Sequence, residues 1–183
     1  MSRLYEAVRK NDAAFVRREL PHASDEEKRG VLVNAAELGY AEVVRSLLTA
    51  GVREPWAMAA AANFGRLDVL RLLSENGGGN RDAALIAAAA HGHAAAVRFL
   101  ITQGASTLDE ALADAALRGY RPVVKELLAA GANPQAPVYG GKTAVELAAG
   151  KGWTEIEALF RHGSAGKACP ESVPDAGEKP PAS

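Results

Sequence analysis

The chain has a single cysteine, Cys169, so no disulfide can form within it and no cysteine-based zinc site can be built. Aromatic residues make up only 5% of the 183 residues. No segment of several residues alternates between apolar and polar side chains, as a half-buried β-strand would. No apolar run reaches the roughly 18 residues of a membrane-spanning helix, and the N-terminus lacks the apolar core of a signal peptide. These absences favour a soluble, helical, cytoplasmic protein with no membrane contact.

Charge of either sign is also not in excess, because 21 basic and 22 acidic residues leave a net charge of -1. Nucleic-acid-binding domains usually carry a clear positive excess, so we expect no nucleic-acid partner. The chain has no phosphate-binding glycine loop and no nucleophile elbow, and His91-Gly92-His93 lacks the further ligands of a metal site. We therefore expect no cofactor, no metal and no catalytic site. We also expect the protein to be a monomer.

What the sequence does contain is alanine-rich helical runs that end at glycine. Residues 84–90 and 94–103 are two such runs, and they stop at His91-Gly92 and at Gly104. Alanine is the strongest helix former, and a glycine at a helix end can take the left-handed conformation that closes the last turn. The stretch therefore predicts two short helices whose small side chains allow close packing.

The same glycine pair recurs five times, 12 residues apart in four pairs and 11 in the fifth. The pairs are Gly39 and Gly51, Gly65 and Gly77, Gly92 and Gly104, Gly119 and Gly131, and Gly152 and Gly163. We call the first member of each pair the central glycine. Self-similarity at a fixed period indicates a repeat array, because a unit of this size is too small to bury its apolar face without stacking on neighbours.

Three blocks of the sequence, residues 31–40, 127–133 and 143–153, resemble ankyrin repeats. The resemblance implies an all-α, ankyrin-type helix-turn-helix solenoid of about five to six repeats that binds another protein. The Thr-Pro start of the family pattern is missing from most copies, and the inner repeats are shorter than the family's usual length of about 33 residues. We expect those repeats to lack most of the projecting hairpin finger, whereas residues 133–142 are long enough for one full finger.

We expect one solenoid over residues 1–163 and a disordered tail over residues 164–183, which are rich in Pro, Gly, Ser and charge. An atypical copy with a polar outer face, near residues 2–20, caps the N-terminal end. A polar connector follows over residues 21–30, and its residues 24–27 could start a short extra helical turn. The remaining repeats are expected near residues 31–51, 56–77, 83–104, 110–131 and 143–163.

The repeat register assigns the exposed faces of such a stack. The residues one, two and five places before each central glycine should line the concave face, which is formed by the first helix of each repeat, and the residue after the glycine lies beside them. Aromatic residues and arginine are enriched at protein-binding hot spots, so we expect the partner to bind there. A plainer interpretation is that the residue after each glycine only covers the turn of the next repeat. The candidate partner-binding residues are Tyr40, Phe64, Arg66, His91, His93, Asp114, Arg118, Tyr120 and Trp153.

Asp114 occupies a place where the ankyrin pattern has an apolar residue, and a buried carboxylate without a partner is costly. We expect it to be solvated on the concave face, with an Arg118 ion pair or a ligand contact as alternatives. A competing hypothesis makes the chain an enzyme that binds a small substrate with His91, His93, Asp114 and Arg118. A closed pocket at those side chains would favour the enzyme, an open groove favours the binding scaffold, and a flat polar face favours a purely structural domain.

Each second helix except the last carries one cation at the same place. These cations are Arg17, Arg45, Arg71, Arg98 and Lys125. We expect a solvated convex face whose charge is offset by nearby carboxylates, and docking of an acidic protein surface is the sharper alternative.

Overall fold

The computed structural model describes residues 2–77 and 79–163, and within them the chain folds into twelve α-helices and no strands. In chain order the helices are α1 (Arg3–Arg9), α2 (Ala13–Glu19), α3 (Asp25–Leu38), α4 (Ala41–Thr49), α5 (Trp56–Asn63), α6 (Leu67–Glu75), α7 (Arg81–Ala90), α8 (Ala94–Thr102), α9 (Leu108–Arg118), α10 (Arg121–Ala129), α11 (Ala144–Lys151) and α12 (Thr154–Gly163). They form six pairs. We call the first helix of each pair inner and the second outer.

The pairs stack in sequence order. Each inner helix contacts the inner helix of the next pair, from α1 to α11, and each outer helix contacts the next outer helix, from α2 to α12. This arrangement confirms the all-α helix-turn-helix solenoid that the sequence predicts. Every helix therefore depends on its neighbours to cover its apolar side.

Alanine sets the distance between the inner helices. A pair of alanines precedes each central glycine, and in four of these pairs both members are completely buried: Ala35 and Ala36, Ala61 and Ala62, Ala88 and Ala89, and Ala115 and Ala116. In the last pair Ala148 is completely buried. The outer helices contribute larger aliphatic residues such as Val43, Val124 and Leu127 to the same core. Adding methylene groups at the alanine positions would force the helices apart, at a cost of roughly 1–3 kcal/mol for each site.

Helix α3 begins earlier than the sequence analysis predicts. The Ser24 side chain accepts a hydrogen bond from the Glu27 backbone N–H at 3.2 Å, and acidic residues fill the first turn. A serine N-cap followed by carboxylates is a strong helix start, since both compensate the unpaired N–H groups and the helix dipole. The turn that the sequence offers at residues 24–27 is present, but it is not a separate short turn: it continues without a break into α3, so the second half of the predicted connector is helical. The Glu27 carboxylate also accepts a hydrogen bond from Ser2, which ties α3 to the start of α1.

The predicted finger is a tight turn rather than a full hairpin. The Val138 N–H donates to the Lys142 carbonyl at 2.9 Å, and a short 3-10 helix covers Tyr139–Gly141 between them. Gly140 and Gly141 have φ values of 63° and 79°, as expected for the tip. The prediction of a full finger is wrong because the arms around this turn form no strand in the described residues.

Two further expectations concern the ends of the chain and the membrane. Cys169 and the tail predicted to be disordered, residues 164–183, lie outside the described residues. Among the helices of residues 2–77 and 79–163, none is both long and apolar enough to cross a membrane.

Candidate functional site

The turn between the inner and outer helix of a repeat is the centre of the site. Gly39, Gly119 and Gly152 end α3, α9 and α11 in the left-handed conformation, with φ values of 79°, 80° and 72°. In the first repeat the same turn is made by Asn11, whose φ is 53°, and asparagine is one of the few other residues that tolerate this region. The chain therefore reverses direction in the same way in each repeat, and equivalent side chains form rows.

The first row consists of the residues that follow each turn. We call Tyr40, Arg66, His93, Tyr120 and Trp153 the joint column. A Cβ atom placed on Gly65 would stand 2.7 Å from Nδ1 of His93, and one placed on Gly119 would stand 2.9 Å from Cε2 of Trp153. Four members of the column therefore lie against the central glycine of the preceding repeat, where only a hydrogen atom fits: Arg66, His93, Tyr120 and Trp153.

Hydrogen bonds fix three of these side chains to the preceding repeat. Nε2 of His93 lies 3.0 Å from the carbonyl oxygen of Asn63, and Nε1 of Trp153 donates to the carbonyl of Leu117 at 3.3 Å. Arg66 makes the equivalent contact, its Nε donating to the Glu37 carbonyl at 2.9 Å. These three acceptors each stand two residues before a central glycine. They belong to the last turn of an inner helix, whose carbonyls have no partner within the helix.

The joint column thus has a structural task that the sequence analysis offered only as its plainer interpretation. The turn that is covered is that of the preceding repeat, not of the next one, so this detail of the interpretation is wrong. Tyr40 is half-buried and packs against the core, while Trp153 keeps 41% of its surface exposed. A partner can reach the edges of these side chains, but their inner surfaces hold the stack together.

A second row points away from the stack. It consists of the residues immediately before each central glycine, and we call Leu38, Phe64, His91, Arg118 and Lys151 the turn ridge. All five are exposed, Phe64 by 48%. Nδ1 of His91 lies 3.0 Å from the Ala87 carbonyl in its own helix, which leaves the rest of the ring facing solvent. Three of the predicted binding residues, Phe64, His91 and Arg118, therefore lie in one row.

Trp56 is a prominent exposed side chain that the sequence analysis did not select. It is 66% exposed at the start of α5, one helix length from Phe64. A signal was present in the sequence, since the equivalent places in the later repeats hold Ala83, Glu110 and Thr143. A tryptophan in that series has no packing role that the repeat pattern requires.

Asp114 is not simply solvated, as predicted, nor paired with Arg118. The hydroxyl of Tyr139, at the turn over residues 139–141, donates to Oδ2 of Asp114 at 3.1 Å. Burial raises the pKa of Tyr139 to about 12, and the negative charges of Asp114 and Glu110 add to that effect. The carboxylate that departs from the family pattern therefore anchors the turn that follows α10 to the inner helix α9.

The four residues of the enzyme hypothesis do not converge on a pocket. His93 is bonded into the joint with the preceding repeat, Asp114 accepts from Tyr139, and Arg118 stands exposed. Four clefts, of about 600, 450, 310 and 240 Å³, are lined by other residues. In the described part of the chain, no three His, Cys, Asp or Glu side chains are grouped so that they could hold a metal ion.

The cations that recur on the outer helices mostly contact the neighbouring repeat. Each contact reaches the repeat that follows. The contacts are Arg17 to Ser46 (3.0 Å), the Arg71 guanidinium to the Phe99 ring (5.4 Å to its centroid) and Arg98 to Glu126 (3.1 Å). Arg45 instead pairs with Glu42 of its own helix at 3.5 Å. This face therefore serves contacts along the stack, and it offers no continuous row of free cations to an acidic partner.

Comparison with known proteins identifies the repeat. Residues 57–138, which run from α5 into the turn after α10, match the family model of ankyrin repeats in three copies. A search of curated proteins gives no match. Ankyrin repeats are generally protein-interaction modules. The matched segment contains the repeats with the shortest spacing, and it continues on both sides into helix pairs that stack in the same order. The chain therefore contains ankyrin repeats over residues 57–138.

Proposed function

We propose that this protein is a recognition scaffold that binds another protein through its concave face and the adjoining turn residues. The observation that carries the proposal is the exposure of large apolar side chains on the inner helices. Trp56, Phe64 and Leu38 are exposed by 66%, 48% and 39%, whereas most aliphatic residues of the stack are buried. Large exposed apolar and aromatic groups on a rigid face are typical of binding hot spots.

We further propose a division of roles among the predicted residues. Phe64, His91 and Arg118 contact the partner directly, and Trp56 and Leu38 join them. The joint column of Tyr40, Arg66, His93, Tyr120 and Trp153 contributes its exposed edges, and it also keeps successive repeats at a fixed spacing. Asp114 acts through Tyr139 by holding the turn over residues 139–141 in place. The contacts between repeats support this division. Side chains that already contact the preceding repeat have less surface available for a partner.

A rigid stack reduces the entropy cost of association, since its contact residues are ordered before the partner arrives. This is the mechanism that we propose for the adaptor, inhibitor or assembly factor that such a scaffold serves. We also propose that the protein acts as a monomer in the cytoplasm. Size-exclusion chromatography with light scattering, together with fractionation of the native host, tests these two statements.

An affinity pull-down from the native host tests the proposal. The baits are the wild-type protein, a Trp56→Ala and Phe64→Ala double variant, and a matched Arg45→Ala and Lys125→Ala double variant on the outer helices. All four substituted side chains are exposed, so the variants should fold alike. We expect the first double variant to lose specific partners that the wild type and the second variant both retain. Equal recovery by all three baits would overturn the assignment of the concave face.

A further inference from the structure

The turn ridge changes in character along the stack. Leu38 and Phe64, at its N-terminal end, are apolar, His91 stands in the middle, and Arg118 and Lys151 at its C-terminal end are basic. Neighbouring members belong to neighbouring inner helices, which pack at roughly 8–10 Å. The ridge is therefore a row about 40 Å long with one apolar end and one cationic end.

The cationic end is not neutralised within the described residues. Arg118 and Lys151 are exposed, and neither side chain takes part in a hydrogen bond or an ion pair in the described part of the chain. Because no carboxylate of this chain is bound to them, both cations are free to meet an acidic group from outside.

The carboxylates of the same helices are engaged elsewhere. Oδ1 of Asp109 accepts from the Asn133 N–H at 2.6 Å, and Asp114 accepts from Tyr139. Glu146 accepts from the Thr143 N–H at 2.9 Å in a capping box at the start of α11. Glu110 is two turns before Arg118, about 12 Å along the helix, which exceeds the screening length at physiological salt. Asp114 keeps its negative charge one turn before Arg118, but no carboxylate of the described residues forms an ion pair with Arg118 or Lys151. The two cations at the C-terminal end of the ridge are therefore available to a partner.

Small side chains line the surface between the large apolar residues of the apolar end. On α5, Ala59 and Ala60 are half-buried between the exposed rings of Trp56 and Phe64. On the neighbouring α7, Ala87 is half-buried at the place equivalent to Ala60. Alanines between two large rings leave room for an inserted side chain. A large apolar group from a partner would there remove apolar surface of both proteins from water.

We propose that the concave face takes one continuous protein segment, with large apolar side chains at one end and carboxylates at the other. The apolar end lies over α3 and α5, and the acidic end lies over α9 and α11. An extended segment covers the 40 Å between Leu38 and Lys151 with about 12 residues. This inference rests on the proposed function and adds the chemistry and the direction of the partner's segment.

The test uses a displayed library of random peptides of about 16 residues, slightly longer than the ridge, selected on the full-length protein. We expect enriched peptides in which an apolar block and an acidic block are separated along the chain. The affinity of a synthetic consensus peptide should fall as salt is raised. It should also fall about tenfold or more when Arg118→Glu and Lys151→Glu are combined, because like charges then face each other. Arg3→Glu with Lys125→Glu, two exposed cations outside the ridge, is the charge-matched control and should change the affinity less than about twofold.

Two kinds of result would overturn the inference. The first leaves the proposed function intact, and the second contradicts it as well. Peptides that require Trp56 and Phe64 but lack an acidic block, or that bind equally to the Arg118→Glu and Lys151→Glu variant, contradict the inference and leave the proposed function intact. A selection whose binders are all insensitive to Trp56→Ala with Phe64→Ala, or that gives no binders, contradicts both.

Discussion

The imidazole ring of His93 lies against Gly65 of the preceding repeat, so close that a Cβ atom on the glycine would stand 2.7 Å from Nδ1. The other ring nitrogen, Nε2, is bonded to the Asn63 carbonyl at 3.0 Å. Since a carbonyl oxygen only accepts, the ring carries a proton on Nε2. Position 65 therefore requires glycine for two reasons: its backbone is left-handed, and the His93 ring leaves no space for a side chain.

These two reasons can be separated by substitution. Gly65→Ala adds a methyl group at φ 65° and forces it into His93, whereas Gly104→Ala meets the first cost alone, since its φ is 85° and no atom lies within 4 Å. A left-handed alanine costs about 1–2 kcal/mol. Overpacking adds about 1–3 kcal/mol. We expect urea unfolding to show a clearly larger loss of stability for Gly65→Ala. Equal losses of stability for the two variants would mean that the His93 ring moves aside at no cost and does not pack tightly against Gly65.

Substitution by phenylalanine should destabilise the protein at one of the two tryptophans and leave its stability almost unchanged at the other. Trp153→Phe removes the hydrogen bond to the Leu117 carbonyl and part of the ring that covers Gly119, which should cost about 1 kcal/mol or more. Trp56→Phe alters a ring that is 66% exposed and should change the stability by less than about 0.5 kcal/mol. Helical circular dichroism during urea unfolding measures both, because each variant loses one fluorophore. A destabilised Trp56→Phe protein with an unaffected Trp153→Phe protein would contradict the assigned roles.

The bond between Tyr139 and Asp114 predicts a dependence of stability on alkaline pH. Burial and the neighbouring carboxylates raise the pKa of Tyr139 to about 12 in the folded chain, above the value of 10.0 for a free phenol. Because the folded pKa is the higher one, the stabilisation is fully present below pH 10 and is lost as the pH rises from about 10 to about 12. Tyr139→Phe should remove this part of the pH dependence.

Ultraviolet absorbance titration of the tyrosines tests the cause of that shift. Asp114→Asn should lower the pKa of Tyr139 only part of the way toward 10, because burial, the largest cause, remains. The signal that disappears in Tyr139→Phe identifies this phenol among the four of the chain. A Tyr139 pKa that Asp114→Asn leaves unchanged would show that the carboxylate of Asp114 does not act on this phenol.

The sequence predicted the features that depend on local pattern. The helix ends followed from the spacing of the glycines, and the stacking order followed from helices too short to bury their own apolar sides. Three residues show this well: Gly39, Gly119 and Gly152 end their helices in the left-handed conformation that the repeats require. Helix α3 is the exception, because its first two turns are too polar to show apolar periodicity, so only a short extra turn was expected at its Ser24 cap.

The sequence did not predict which exposed side chains the stack itself uses. Nε2 of His93 finds its partner 30 residues earlier, Trp153 finds its partner 36 residues earlier, and Asp114 finds Tyr139 25 residues later. The direction of such a side chain depends on the distance between repeats, and the alanine core sets that distance. The position of a residue in the repeat therefore predicts the row to which it belongs. Whether that row packs against the preceding repeat or is free to contact a partner depends on contacts between repeats.

The most direct test of this account compares Phe64→Ala with His93→Ala in two measurements made on the same preparations: the free energy of unfolding in urea, and the retention of a captured partner by the folded protein. We predict that Phe64→Ala keeps the stability of the wild type and loses the partner, while His93→Ala loses stability because the joint to Asn63 and Gly65 opens. A Phe64→Ala protein that retains the partner fully, beside a His93→Ala protein as stable as the wild type, would contradict the division between the turn ridge and the joint column.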